Sequence, residues 1–462
     1  MIDEFTIVLA PFARVAFATP STNSHFFGYF NQSPVNADGH YLLAHCVGFD
    51  GREITAADHA TVGFFDLRDN TWREMGKTRA FNWQQGAMLQ WLGPDFQSQV
   101  IFNDQEGDHF VARIVDAVSG NVRTLPHAIY AVHPSGRRAL GVRFERHYFC
   151  RAYHYEGLRD ERWNVPVHPD DGILDIDLET GAARMLLRTA DIAGFEPSPA
   201  MAGSAHWLEH LVWNPSGSRF GFLHRYGTGA NYSTRLFTSD GEGGNLYCLP
   251  GHAEYSYTHM GWRDDSTFVI YALRQRQLAG IYTGLQESTH PLKALAVHIY
   301  RTLRKLVPRR ITVQCIIESG YALVQDRVGR QRLLTTGELW RDGHPSWSRD
   351  GRFMLTDTYA DDQNQRRLLI YDAVRDKLHE VGRFLSPFNA CGYRCDLHPR
   401  FSRDDRQIVI DTAHTGRHQM LVLDIAWLTR PHPTMTCVLL NLRRRLMDTL
   451  AWGISRGANC TR

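Results

Sequence analysis

The chain of 462 residues is 43% hydrophobic and 22% charged, a globular balance that excludes wholesale disorder. Its formal charge of +2 gives no electrostatic case for nucleic acid, which would call for a concentrated basic face. The eight cysteines, at 46, 150, 248, 315, 391, 395, 437 and 460, are too scattered for a disulfide scaffold, so reduced thiols are expected.

In chain order, Met1 to Ala10 comes first. It carries Asp3 and Glu4 and lacks the basic start and cleavage site of a signal peptide. No apolar run approaches the ~20 residues that span a bilayer, and a cytoplasmic location is the expectation. A repeated grammar then begins: an aromatic or polar opener, a tight turn rich in Pro, Asp, Ser and Gly, and an alternating apolar run. It opens at Ser33, Trp91, His133, Trp213, Trp262, Trp347 and Phe401. After each opening comes an apolar strand that ends in aspartate, at Asp66, Asp116, Asp177, Asp240, Asp326, Asp372 and Asp424. Two hairpin-like pairs per unit make a four-stranded blade, and seven units predict an all-β, seven-bladed β-propeller over residues 1–430. The competing reading is a β-sandwich with accidental repeats.

Two segments fall outside this grammar. An insertion of about residues 278–319 contains Leu292 to Val307, with Leu292, Leu295, Ile299, Leu303 and Leu306 at helical spacing before Pro308. A C-terminal tail, 431–462, carries Leu439, Leu442, Leu446 and Leu450 beside Arg443, Arg444 and Arg445. Both predict basic amphipathic helices, 292–307 and 437–456. Such helices pack across the outside of a propeller, or meet an anionic membrane or a partner.

Several stretches resemble the β-propeller polysaccharide lyases, a group that includes the ulvan lyases and, more distantly, the oligogalacturonate lyases. They are Ser24 to Asn31, Phe81-Asn-Trp-Gln-Gln-Gly-Ala-Met-Leu-Gln-Trp91, Ile101 to Asp104, His168 to Ile173, His210 to Gly217, Asp342 to Trp347 and Cys395-Asp-Leu-His-Pro-Arg-Phe401. The resemblance implies cleavage of a uronic-acid-containing glycan by β-elimination. That chemistry neutralises the C5 carboxylate, removes the C5 proton with a base and protonates the leaving oxygen. An acidic polysaccharide or oligosaccharide is then the expected partner.

His210 and Arg225 stand at the ends of two strands that would pair as a hairpin, so a base and a carboxylate-binding arginine could share one rim. The plainer readings are a structural hydrogen bond for His210 and a solvated Arg225. The resembling lyases use a tyrosine in proton transfer. Arg146 to Tyr155 offers Tyr148 first, with Tyr153 and Tyr155 as rivals and Arg151 as a substrate contact, or else a packed loop. Asn82 and Asn103 occupy strand ends where the resemblance leads one to expect histidines. An asparagine can hydrogen-bond a carboxylate but cannot exchange a proton, which puts ulvan in doubt as substrate. Gln85 and His25 complete the polar candidates.

For a metal, Cys395 and His398 form a Cys-x-x-His pair, half of a zinc site. With His259 and His344, each at the start of an innermost strand, they predict bound zinc; buried core His and Cys are the alternative. Two other functions compete: a non-catalytic glycan-binding or scaffold propeller, and a glycoside hydrolase. The hydrolase needs two placed carboxylic acids, and the adjacent Asp170 and Asp171 read more simply as turn residues.

Overall fold

The computed structural model describes residues 7–425, apart from 149–152, 163–164, 229–230, 253, 275–318, 335, 337–338 and 390–391. The insertion's predicted helix, the C-terminal tail and Arg151 lie outside the described residues. None of the described helices is long and apolar enough to cross a membrane.

Seven antiparallel sheets follow one another as the blades of a propeller: residues 24–78, 90–125, 131–188, 205–248, 255–333, 346–385 and 400–424. Blades 1 to 5 are four-stranded and run in chain order from the innermost strand outward. The last two blades borrow from the N-terminus. Strand Arg14–Ala18 pairs with Gln419–Asp424 and becomes the fourth strand of blade 7, and Ile7–Leu9 adds a fifth strand to blade 6. The ring is thus closed by non-covalent pairing between the two ends of the propeller sequence.

The repeated residues have mechanical reasons. Each of the seven aspartates stands at or just after the end of its blade's third strand. In five blades that carboxylate accepts turn N–H groups, as where Asp116 Oδ1 accepts from Val118 and Ser119, Asp177 Oδ1 from Glu179 and Thr180, and Asp372 Oδ1 from Val374 and Arg375. Three opening tryptophans lock a blade to the one before it. The indole N–H of Trp91 donates to the Pro34 carbonyl at 2.9 Å, that of Trp213 to Ala131 at 3.2 Å and that of Trp262 to Val212 at 3.1 Å. The hydrophobic core is correspondingly a ring of clusters shared between neighbouring blades. In the long excursion of blade 3, Arg146 is buried. Its guanidinium donates to the carbonyls of His206 and Val165 and pairs with Asp160 at 3.3 Å, so it pins the excursion rather than facing a ligand.

Candidate functional site

In four successive blades the residue three positions before the blade opener is a histidine: His210, His259, His344 and His398. The other three blades place Phe30, Met88 and Tyr130 there. Repetition about the axis brings one register position to one ring. The ring centroids of His259 and His344 are 4.4 Å apart, those of His344 and His398 4.2 Å, and those of His210 and His259 6.1 Å. Phe30 lies 5.4 Å from His344 and 6.0 Å from His259.

Local irregularity delivers these side chains. The innermost strands Ala205–Trp213 and Tyr255–Trp262 each break register just before the opener, at Glu209/Val212 and Tyr257/Met260, which turns His210 and His259 out of the pleat. His210 and His398 have positive φ, +55° and +41°, which costs energy for a residue other than glycine and recurs at functional sites. Before His344, Gly343 passes so close to the Asp357 carbonyl that a Cβ would collide with it.

Carboxylates orient this ring. Asp357 Oδ1 lies 2.8 Å from His344 Nδ1 and also accepts the His344 backbone N–H, and Asp342 Oδ1 lies 3.1 Å from His259 Nδ1. Those contacts leave each Nε2 for another partner. His344, His398 and Asp396 each offer a ligand atom, and these atoms all lie within 4.8 Å of one another. Burial opposes the Asp396 charge, but Arg366 at 2.6 Å and Arg394 at 2.7 Å outweigh it and hold the carboxyl far below its usual range. Burial pushes His259 and His398 down, so both are neutral imidazoles with a lone pair to give. This donor set differs from the sequence expectation. Cys395 is outside it, and burial pushes the Cys395 thiol well up, away from the thiolate that binds metals; its neighbour Asp396 converges instead. His259 borders the triad through its contact with His344.

Beside the histidines sits a buried charge that the sequence reading passed over. Glu209 lies 2.7 Å from Arg225 Nε and 3.1 Å from His210 Nδ1, both contacts falling on Oε1 and neither aligned as a hydrogen bond. Burial works against the Glu209 charge, yet Arg225 and His210 hold the carboxyl down at about 2. Burial pushes the His210 imidazole down to about 4 despite Glu209. The tyrosines Tyr29 and Tyr153 stack edge-on against His210 at 5.3 and 5.1 Å. Burial raises Tyr153 to about 12, so its hydroxyl stays protonated. The Tyr130 hydroxyl accepts the His210 backbone N–H at 2.9 Å and the Gln85 side-chain N–H at 3.0 Å. Several buried polar atoms here have neither a hydrogen-bond partner nor an ion-pair contact: Tyr29 Oη, Gln85 Oε1, Glu209 Oε2 and His210 Nε2. Buried groups are ordinarily paired, so such a concentration marks a place where a ligand or water completes the bonding.

The structure brings His210, Arg225, Gln85 and Tyr153 together with His259, His344 and His398. It places other candidates elsewhere. Tyr148 packs against His154 at 5.0 Å under the Arg159 guanidinium. Asn103 is consumed by Ile129, whose N–H and carbonyl it bonds at 2.8 and 2.7 Å, and by the Tyr155 hydroxyl at 3.0 Å. Tyr155 is buried against Phe144. The Asn82 Oδ1 accepts the N–H groups of Gln84 and Gln85 and so shapes the turn that aims Gln85. His25 packs on Phe65 and Trp72 within blade 1. Asp171 is not a simple turn residue. It is buried, its Oδ2 accepts the Thr189 hydroxyl at 2.6 Å, and burial pushes it up to about 6. Glu209 and Asp396 had one signal in the sequence, an acid one and two positions from a histidine of the recurring register.

No protein-family model matches the sequence, and no curated protein matches it by sequence. Solved structures do match in fold. An oligogalacturonate lyase in complex with manganese aligns at a TM-score of 0.58 with 18% identity, over 89% of this chain and 92% of that one. The oligogalacturonate lyase of Vibrio parahaemolyticus aligns at 0.57 with 13% identity, over 89% and 93%. A prolyl endopeptidase aligns at 0.47 with 11% identity, over 88% of this chain and 48% of that one. The chain therefore has a seven-bladed propeller fold similar, over most of its length, to that of oligogalacturonate lyases.

Proposed function

We propose that the protein is a lyase that cleaves a uronic-acid-containing oligosaccharide or polysaccharide by β-elimination, using a divalent metal. The observation that carries this reading is the single ring that joins a neutral buried imidazole, His210, to a metal-type donor set, with Arg225, Arg366 and Arg394 beside it. His344, His398 and Asp396 would hold the ion, with His259 at their edge. Two imidazoles and a carboxylate suit manganese as well as the zinc expected from the sequence. When bound, such an ion neutralises the uronate carboxylate and acidifies the C5 proton.

The chain's own residues supply the rest. His210 is neutral and turns Nδ1 toward Glu209, which favours a proton there and leaves Nε2 to accept the C5 proton. Arg225 brings positive charge beside His210 for the substrate carboxylate. As C5 loses its proton, the C4–O bond breaks and a C4–C5 double bond forms. The leaving oxygen takes a proton from Tyr153, the protonated hydroxyl whose ring lies against His210. Burial of the site strengthens each of these electrostatic contacts.

The test is the ultraviolet absorbance of the unsaturated product across a panel of uronate polymers and oligomers, with galacturonides first because the similar structures are oligogalacturonate lyases. Chelated protein is run beside protein reloaded with manganese or zinc. Product is expected from the reloaded protein, and His210→Ala should lower its rate by ~10²–10⁴ with the fold intact. No product from any uronate glycan would replace this reading with a glycan-binding propeller. A normal rate in His210→Ala would displace the site.

A further inference from the structure

Among the large apolar side chains that the described residues expose, Tyr232 is the one aromatic, at 41% exposure. It lies near the tip of the hairpin formed by Arg219–Thr228 and Asn231–Asp240 in blade 4, whose ten-residue strands are the longest described. The register pairs Trp207 with Arg225, Arg225 with Thr234, and Gly227 with Tyr232. Alternate residues of a strand share a face, so Trp207, Arg225 and Tyr232 stand side by side on one face of the blade. The contacts agree: the Arg225 guanidinium is 4.6 Å from the Tyr232 ring centroid, and the Trp207 ring meets it edge-on at 5.8 Å.

The same face leads inward to the reacting residues. Arg225 is ion-paired at 2.7 Å with Glu209, which touches His210. An exposed ring thus begins a continuous ladder that ends at His210. Two features keep that ring open yet fixed. Its cross-strand partner is Gly227, which has no side chain to cover it, while Arg225 and Trp207 brace it from the side. Trp207 is only 6% exposed, and its indole N–H is buried without a partner. A half-exposed aromatic braced beside a guanidinium is what the apolar C–H face of a sugar stacks on, with hydroxyls left to meet neighbouring donors.

We propose that Tyr232, braced by Arg225 and Trp207, is a stacking subsite for the sugar ring next to the one that reacts at His210. The site then recognises a saccharide of at least two residues. What happens to the bound sugar rests on the lyase reading; the binding does not.

The experiment measures calorimetric binding of galacturonate monomer and trimer, and product formation from the trimer, for the wild type, Tyr232→Ala and Tyr232→Phe. Tyr232→Ala is expected to weaken trimer binding by ~10-fold, leave the monomer unchanged and keep the thermal stability. Tyr232→Phe, which retains the ring, should match the wild type. An equal loss for monomer and trimer, or no loss for either, overturns the subsite. So does a wild type that binds neither. If the wild type binds the trimer and forms no unsaturated product, the lyase reading fails while the subsite is decided by the binding data alone.

Discussion

Glu209 keeps a full negative charge inside blade 4 because Arg225 and His210 share it. Removing one member of a buried pair strands the other, which ordinarily costs ~3–5 kcal/mol. Glu209→Gln should therefore lower Tm sharply, and adding Arg225→Met should restore much of the loss, a non-additivity that a double-mutant cycle in denaturant measures. Asp171 makes the opposite case. Burial raises its folded pKa to about 6, above its ordinary 3.8, so the fold binds the proton more tightly than the unfolded chain does. Its stabilising effect is complete below the unfolded value and is lost as pH rises through about 6. Asp171→Asn keeps an acceptor for the Thr189 hydroxyl and removes that penalty. It should stabilise the protein by on the order of 2–3 kcal/mol at pH ~8 and by little at pH ~4, as read by thermal melts at the two pH values. Side chains of this kind were hard to read in the sequence. Asn103 looks like a substrate contact until Ile129, 26 residues away, takes both ends of its amide. Cys395 and Asp396 are neighbours, and only the third dimension decides which of them reaches His344. The histidines were easier, because each sits at a fixed distance from a blade opener.

Strands and turns were the legible scale. A turn aspartate and an opening tryptophan act through contacts that recur in several units, so local pattern and structure agree. Trp91 shows how much one such contact holds: its ring is buried between blades 1 and 2 and its N–H is bonded to Pro34. Trp91→Ala should cost ~3–5 kcal/mol, visible as a large fall in the denaturation midpoint. The irregular pieces were not legible. A bulge adds one residue to a strand without changing its composition, so the two register breaks that present His210 and His259 leave no mark in the alternation. In the excursion of blade 3, sequence grounds put Tyr148 first, with Tyr153 and Tyr155 as rivals. In the structure Tyr153 lies against His210, while Tyr148 lies against His154. In an assay for unsaturated product, Tyr153→Phe should accordingly lose ~10²-fold or more in turnover, and Tyr148→Phe should lose far less.

At the scale of the whole ring, periodicity predicted seven blades but not how the seventh is completed. The strand that does so, Arg14–Ala18, is mostly exposed, and its pattern carries no signal of a partner at Gln419–Asp424. Most of its hold is backbone pairing. The Arg14–Asp424 ion pair, with Arg14 largely in solvent, adds little. Removing residues 1–18 should uncover the edges of blades 6 and 7 and favour association, seen as a lower Tm and larger species in size-exclusion chromatography. This closure also sets a clock. The hydroxyl of Thr19, just beyond the closing strand, accepts the Met420 N–H, a contact spanning 401 residues. At a synthesis rate of ~5–20 residues per second, the strand Arg14–Ala18 waits on the order of 20–80 seconds for its partner to leave the ribosome. Through that interval the nascent chain is an open arc, and only a chain translated through blade 7 can close it. The pairing works as a completeness check, in which Gln419–Asp424 certifies Arg14–Ala18.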